Sequence, residues 1–314
     1  MWYGVLSMTA TIYPAFTDWP WRHWASHTPE HTALFLESTP VSWRALSQKI
    51  GQLASSFMHQ GVTSDAIVAV RGKNSAELLL TYLAVLQCGA RVLPLNPQLP
   101  DLLLSELLPQ LNVDYGYSPD AEFRWPNGIA VLSASAGDPV ELPSWQAQRL
   151  ATLTLTSGST GMPKAAAHSF QAHLSSAAGV LSLMPFVQED SWLLSLPLFH
   201  VSGQGIVWRW LLAGASLAVR NMHPLDDALR GCTHASLVPT QLWRLLNQPE
   251  TSLTLKDVLL GGAMIPVDLT EQAEARGIRC WCGYGLTEMA STVCAKRANA
   301  LPGVGLPLSG RELM

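Results

Sequence analysis

Between Leu153 and Lys164 the sequence reads LTLTSGSTGMPK. An apolar run passes into six consecutive small or hydroxylated residues, Thr156, Ser157, Gly158, Ser159, Thr160 and Gly161, and Lys164 follows. Glycines let backbone N–H groups approach and wrap an anion, hydroxyls add donors, and a lysine adds positive charge. Phosphate is the anion this composition suits. The spacing is not that of the Walker loop, which has four residues between its glycines and then Gly-Lys-Ser/Thr. Here Gly158 and Gly161 are separated by two residues, and Lys164 follows Met162 and Pro163. No G-x-G-x-x-G opens a helix either. A flexible Gly/Ser loop beside a surface lysine is the plain alternative, weakened by the apolar strand before it and the helix-like tail after it.

Other chemistry-bearing residues lie far away in the chain. Phe199-His200-Val201-Ser202-Gly203 follows LLSLPL, and Pro239-Thr240 follows SLV. Gly261-Gly262-Ala263 follows VLL, and Gly283-Tyr284-Gly285-Leu286-Thr287-Glu288 follows IRCWC. The elements between them decide whether these groups can meet. Ser42 caps an amphipathic segment with Trp43, Leu46, Ile50, Leu53 and Phe57 at spacings of three and four, ending at Gly61. AIVAV, the helical SAELLLTYLAVLQCG and RVLPL then form strand, helix, strand with short joints, which implies a right-handed parallel crossover. Residues 116–148 are rich in Pro, Gly, Ser and Asp and read as a loose joint. From Arg149 the alternation resumes: TLTLT, a helix over SFQAHLSSAAGVLSLM, SWLLSLPLF, QGIVWRWLLAGA, SLAVR, PLDDALRG, ASLVPT, QLWRLLNQ, DVLLGGA, PVDLTEQAEARG and IRCWCGYG. The expected class is α/β with mostly parallel sheets whose apolar strands are buried on both faces. Ligands of such sheets bind beyond the carboxyl ends of the strands, where all the residues above fall.

Composition agrees and excludes some classes. The chain has 314 residues, 48% hydrophobic and 13% charged, ample for a core and too apolar for disorder. A net charge of −4 supplies no basic footprint, so nucleic acid is not an expected partner. Five cysteines, odd in number and irregular in spacing, fit a reducing cytoplasm better than a disulfide framework. Cys280, Cys282 and Cys294 have neither ligand-pair spacing nor a nearby histidine, and read as buried strand thiols. The twelve tryptophans are expected in packing. The longest apolar run, Leu78–Leu86, is too short for a membrane span. The apolar N-terminus has no Lys or Arg before Arg22, against a secretory signal.

The order TSGSTGMPK resembles the phosphate loop of the adenylate-forming superfamily, which includes acyl-CoA synthetases, aryl-CoA ligases, luciferases and peptide-synthetase adenylation domains. GYGLTE resembles its second core motif, LPLFH its acid-site motif and GGA its adenine-pocket strand end, in the superfamily's order. The resemblance implies the large N-terminal domain of that fold in two α/β subdomains: an extension over 1–16, a first subdomain over 17–150, and a second over 151–314 bearing the ATP and acid sites. DWPWRHW, LQCGARVLPLNPQLP, LPLFHVSGQGIVWRWL and HASLVPTQLWRLL are similar to one branch of its acid–CoA ligases, acting on an aryl acid with a second carboxylate and a keto group.

The resemblance implies ATP, Mg²⁺ and coenzyme A as partners beside the aryl acid, and a homodimer in the cytoplasm. It implies that Thr156–Gly161 and Lys164 hold the β- and γ-phosphates and that Thr287 bonds the α-phosphate. Glu288 is then the Mg²⁺ carboxylate, and Tyr284 stacks on adenine. Gly261, Gly262 and Gly283 give the base room, and Ala263 and Gly285 belong to the same ATP site. His200 is the acid-pocket wall, Ser202 and Gln204 are candidate acid contacts, and Arg209 is a candidate cation for the second carboxylate. Members continue into a ribose-binding aspartate, a hinge and a small domain with a catalytic lysine; this chain reaches only LPGVGLPLSGRELM. The expectation is therefore a chain without the small domain that binds its ligands weakly, adenylates slowly and forms no thioester alone. Two rival readings stand beside it. A serine hydrolase built on Ser157 or Ser202 with His200 would need G-x-S-x-G, which neither TSGSTG nor VSGQG provides. The other is a nucleotide-binding remnant without chemistry.

Overall fold

The computed structural model describes residues 13–156, 161–248 and 253–312. The expected extension over 1–16 falls mostly outside them, as do Ser157, Gly158, Ser159 and Thr160 of the phosphate-loop motif.

The strands, in chain order, are β1 (Thr32–Leu36), β2 (Thr39–Ser42), β3 (Ile67–Arg71), β4 (Arg91–Leu95), β5 (Tyr115–Tyr117), β6 (Ala130–Val131), β7 (Leu150–Thr156), β8 (Lys164–Ser169), β9 (Ser191–Leu193), β10 (Ser216–Val219), β11 (His234–Leu237), β12 (Asp257–Leu260), β13 (Arg279–Leu286), β14 (Ser291–Arg297) and β15 (Leu306–Pro307). The helices are α1 (Pro20–His27), α2 (Trp43–His59), α3 (Ala76–Gln87), α4 (Asp101–Gln110), α5 (Phe170–Leu181), α6 (Val201–Ala213), α7 (Leu225–Leu229), α8 (Pro239–Leu246) and α9 (Val267–Ala275). Ser42, Ser75 and Ser169 cap α2, α3 and α5, each accepting from the backbone N–H three residues on.

The strands form two sheets. One has the order β15-β14-β13-β12-β11-β9-β10-β1-β2, the other β6-β5-β3-β4-β7-β8. Both are parallel through their centres and antiparallel at margins: β1–β2, β13–β14 and β14–β15 in the first, β7–β8 in the second. Alternate residues of each central strand enter different cores. Val68 and Val70 of β3 join Leu217 and Val219 of β10 in a core shared with α2, α3, α5 and α6. Ile67 and Ala69 face α4 instead, and Ala235 and Leu237 of β11 face α8 and α9. Burial on both faces explains why these strands are apolar without alternation. Six tryptophans pack as expected: Trp19, Trp21, Trp43, Trp192, Trp208 and Trp210 are fully buried, and Trp43 stacks on Trp210 at 5.2 Å, whereas Trp243 is exposed.

Two features depart from the expected organisation. The sheets do not divide at residue 150. The early strands β1 and β2 extend the sheet of the late strands, through β1–β10 pairing, and β7 and β8 extend the sheet of the early strands, through β4–β7 pairing. The phosphate-loop motif also does not join a strand to a helix. The described residues on either side of it are paired strands instead, because Lys164–Ser169 pairs back on β7 with Thr156 opposite Lys164. The alanine run over 165–167 suits a helix locally, but pairing with β7 supplies its backbone bonds and overrides the propensity.

Candidate functional site

Where the carboxyl ends of the first sheet's strands meet β7 and β8, the predicted groups come together in part. The Thr156–Lys164 pair closes the base of the phosphate-loop hairpin, and Gly161 has φ +128°, a conformation open to glycine. The second motif continues inside β13. Gly283, Tyr284 and Gly285 are paired with β14, and a single 3₁₀ turn, Thr287–Met289, follows. After it the chain turns back through Ala290 (φ 54°) and Ser291 (φ 104°). Two successive non-glycine residues at positive φ are strained, and the surrounding contacts must hold them. Arg311 contributes by donating to the Met289 carbonyl at 2.6 Å. Gly285 is obligatory here, since a Cβ would lie 2.3 Å from the Ser291 carbonyl oxygen.

This turn packs on the phosphate-loop hairpin through His168 of β8. Burial pushes its imidazole below the ordinary histidine value, against a smaller upward pull from the Thr287 and Glu288 backbone and the Glu288 carboxylate. Glu288 itself is exposed and forms no ion pair with another described residue. Beside the turn lies a cleft of 620 Å³. Gly262, Ala263, Gly283, Tyr284 and Gly285 line one part of it, and Lys296 and residues 299–304 the other. Tyr284 is 45% exposed, so its ring face is available. Gly261 sits just behind, where a Cβ would come 3.2 Å from the Gly283 carbonyl. The GGA and GYG segments are thus walls of one cleft wide enough for a planar base.

The acid-motif residues occupy the start of α6. His200 is the exposed N-cap residue, its ring 4.7 Å from that of Phe199, and the protein around it pushes its pKa down. Ser202, two residues on, is half-buried. Gly203 must be glycine, because a Cβ would fall 2.1 Å from the Pro197 carbonyl oxygen. Gln204 departs from its expected role as an acid contact. It is fully buried, and its amide donates to Thr154 Oγ1 at 3.0 Å and the Leu198 carbonyl at 3.1 Å, leaving no free donor for a ligand.

Arg209 is not on the helix surface. It is 2% exposed, its guanidinium 5.0 Å over the Trp192 ring, with Nη1 3.4 Å from Ser236 Oγ. It forms no ion pair with another described residue, and its Nε finds no acceptor there. Desolvation pushes its pKa down to about 9, which still leaves it cationic at neutral pH. Nη2 and Ser291 Oγ both lie 2.9 Å from where a Gly205 Cβ would stand, so Gly205 keeps space open beside the cation. Ser236, Ser291 and Thr154 were missed from the sequence. Each is a small hydroxyl residue in an apolar strand, with no local signal beyond its type.

Cys280 and Cys294 are buried strand thiols and Cys282 is partly buried; burial pushes the Cys280 thiol up to about 12. No metal-binding cluster occurs among the described residues. No helix among them is long and apolar enough to cross a membrane.

The AMP-binding enzyme family model matches residues 21–314. The chain is 58% identical over 298 residues to the 2-succinylbenzoate–CoA ligase of Escherichia coli (strain K12), covering 95% of this chain and 66% of that protein. It is 44% identical to the enzyme of the same name from Haemophilus influenzae, covering 94% of this chain and 64% of that one. Among solved structures, an E. coli MenE variant with bound OSB-AMS matches at TM-score 0.92 and 57% identity, over 96% of this chain and 67% of that chain. At 24% identity, the Bacillus subtilis synthetase in complex with ATP and magnesium ion shares the fold, with TM-score 0.85 over 93% of this chain and 65% of that one. The chain spans about two thirds of the length of the curated relatives it matches.

Proposed function

The chain belongs to the AMP-binding enzyme family, and on that premise we propose that it carries the adenylation site of a 2-succinylbenzoate–CoA ligase of menaquinone biosynthesis. In the first step the aromatic carboxylic acid's succinyl-chain carboxylate attacks the α-phosphorus of ATP. The bond to the bridging oxygen breaks, and pyrophosphate leaves. In the second, the coenzyme A thiol attacks the acyl carbonyl of the acyl-AMP, loses its proton and displaces AMP. Both steps depend mainly on positioning and on stabilising crowded negative charge.

The residues take these roles. The segment Thr156–Gly161 with Lys164 holds the leaving pyrophosphate. Thr287 donates to the α-phosphate. Tyr284 stacks on adenine between the GGA and GYG walls. Glu288 suits Mg²⁺, which takes one or two carboxylates together with substrate phosphate oxygens; its exposed, unpaired carboxylate beside the hairpin supports that assignment. Bound there, the ion would neutralise phosphate charge. His200 and Ser202 border the acyl group. A reducing cytoplasm fits the free thiols, and a homodimer is the proposed assembly; sedimentation of the purified chain tests the latter.

The observation that carries the substrate assignment is Arg209. A buried guanidinium without an anionic partner is costly, and a ligand carboxylate relieves that cost. Gly205 leaves room beside it. The second carboxylate of 2-succinylbenzoate supplies the charge, whereas benzoate or a fatty acid does not. The test is thermal unfolding with non-hydrolysable acyl-adenylate mimics carrying 2-succinylbenzoyl, benzoyl or fatty-acyl groups. A ligand at 100 times its dissociation constant adds about 2.7 kcal/mol. A shift selective for the 2-succinylbenzoyl mimic is expected. Equal shifts for all three would refute the substrate assignment, and a cooperative transition with no shift would favour a remnant that no longer binds.

A further inference from the structure

Asn74 stands in the turn between β3 and α3, one residue before the helix cap Ser75. It belongs to none of the motifs above, yet its side chain reaches the other sheet. Nδ2 donates to the carbonyls of Leu196 at 2.8 Å and Leu194 at 3.2 Å, and Oδ1 accepts from the Leu198 N–H at 3.0 Å. Residues 194–198 join β9 to α6 and carry no regular structure of their own. Such backbone needs partners from elsewhere. An amide has two donor hydrogens and an acceptor oxygen, and here all three are committed to one segment.

The consequence for the site follows from what this segment supports. The His200 N–H donates to the Pro197 carbonyl at 3.0 Å, and Gly203 is packed against Leu196 and Pro197. Phe199, His200 and Ser202 are therefore placed by the 194–198 backbone. Gln204 secures the same segment through the Leu198 carbonyl and anchors it to β7, the strand that enters the phosphate loop. The acid entrance is thus fixed by two side-chain amides, one from each side, while the nucleotide cleft on β12, β13 and β14 receives no contact from Asn74.

We propose that Asn74 is a positioning residue for the acyl subsite, holding the 194–198 segment so that Phe199, His200 and Ser202 meet the acid, and that it has no part in nucleotide binding. This rests on the reading of α6 as the acid site. The test compares Asn74→Asp and Asn74→Ser with the unaltered chain by calorimetric titration of AMP and of the 2-succinylbenzoyl-adenylate mimic. The aspartate keeps the acceptor for Leu198 but sets a carboxylate against two carbonyl oxygens. The affinity that the acyl group adds over AMP should fall by about tenfold or more, with AMP binding changed by less than about twofold. Asn74→Ser, which keeps one weaker donor, should fall between, and it keeps the test alive if the aspartate variant does not fold. Faster hydrogen exchange at the Leu198 amide should accompany the loss. Equal weakening of both ligands would overturn the proposal in favour of general structural damage, and unchanged binding of both would overturn it outright. If the unaltered chain gains no affinity from the acyl group, the acid-site reading itself fails, a result visible before any variant is made.

Discussion

The two ends of strands β11, β12 and β13 are built to opposite rules. At their amino ends the charged groups answer one another. Asp257 is fully buried; it accepts from Trp281 Nε1 at 2.8 Å and from Arg279, and lies 3.6 Å from His234 Nε2. Asp190 beside them pairs with Lys256 at 2.9 Å. At their carboxyl ends β12 and β13 run into Gly261, Gly262, Ala263 and the Thr287–Glu288 turn, half or fully exposed, beside a 620 Å³ cleft that Gly262 and Ala263 help line. One end holds the sheet together; at the other, Glu288 has no ion-pair partner among the described residues. The contrast teaches that polarity alone does not mark a site. What separates the two ends is whether the polar groups already satisfy each other.

Substitutions can break that contrast in graded ways. The largest effect is expected at the amino end. Asp257→Ala removes the acceptor shared by Arg279 and Trp281 and should cost about 3 kcal/mol, while the melting shift caused by the acyl-adenylate mimic stays intact; denaturant titration with and without ligand reads both. Gly285→Ala tests the carboxyl end where fold and site coincide. Its Cβ would collide with the Ser291 carbonyl, so about 1–3 kcal/mol should be lost, together with the response to AMP. Thr287→Ala and Glu288→Gln sharpen the comparison further. Neither group supports packing, so unfolding should move by about 0.5 kcal/mol or less, but the nucleotide-dependent shift should shrink, in the glutamate variant chiefly when Mg²⁺ is present.

The smallest effect concerns pH. Burial disfavours the charged imidazole of both, holding His173 well below, and His168 below, the ordinary value of 6.5. Below about pH 6.5 the unfolded chain takes up protons that the folded chain does not, so stability is full above that pH and falls as pH drops further. Melting temperatures recorded from about pH 7.5 to pH 5.5 should decline, and His173→Gln should flatten the slope. A slope unchanged in that variant would remove His173 from the account.

Much of this was legible beforehand because it is local. Ser42 and Gly61 bracket α2, and apolar runs of four or five residues became strands buried on both faces, since period and capping act within a few residues. Strand β8 was not legible, because an alanine run carries no strand signal until β7 lies beside it. Gln204 and Arg209 both follow LPLFH in the chain, but their roles separate only in three dimensions. One is consumed by Thr154 and Leu198, and the other is buried with no anionic partner among the described residues.

The sequence by itself determined the α/β alternation, the motif residues and their order, because spacing and residue type are properties of the chain alone. Tertiary structure decided which strands share a sheet and that Asn74 and Gln204 fasten residues 194–198 from opposite sides. These depend on contacts between residues separated by fifty to more than a hundred positions. Such contacts arise from the burial of both sheet faces together and leave no periodic trace in the sequence.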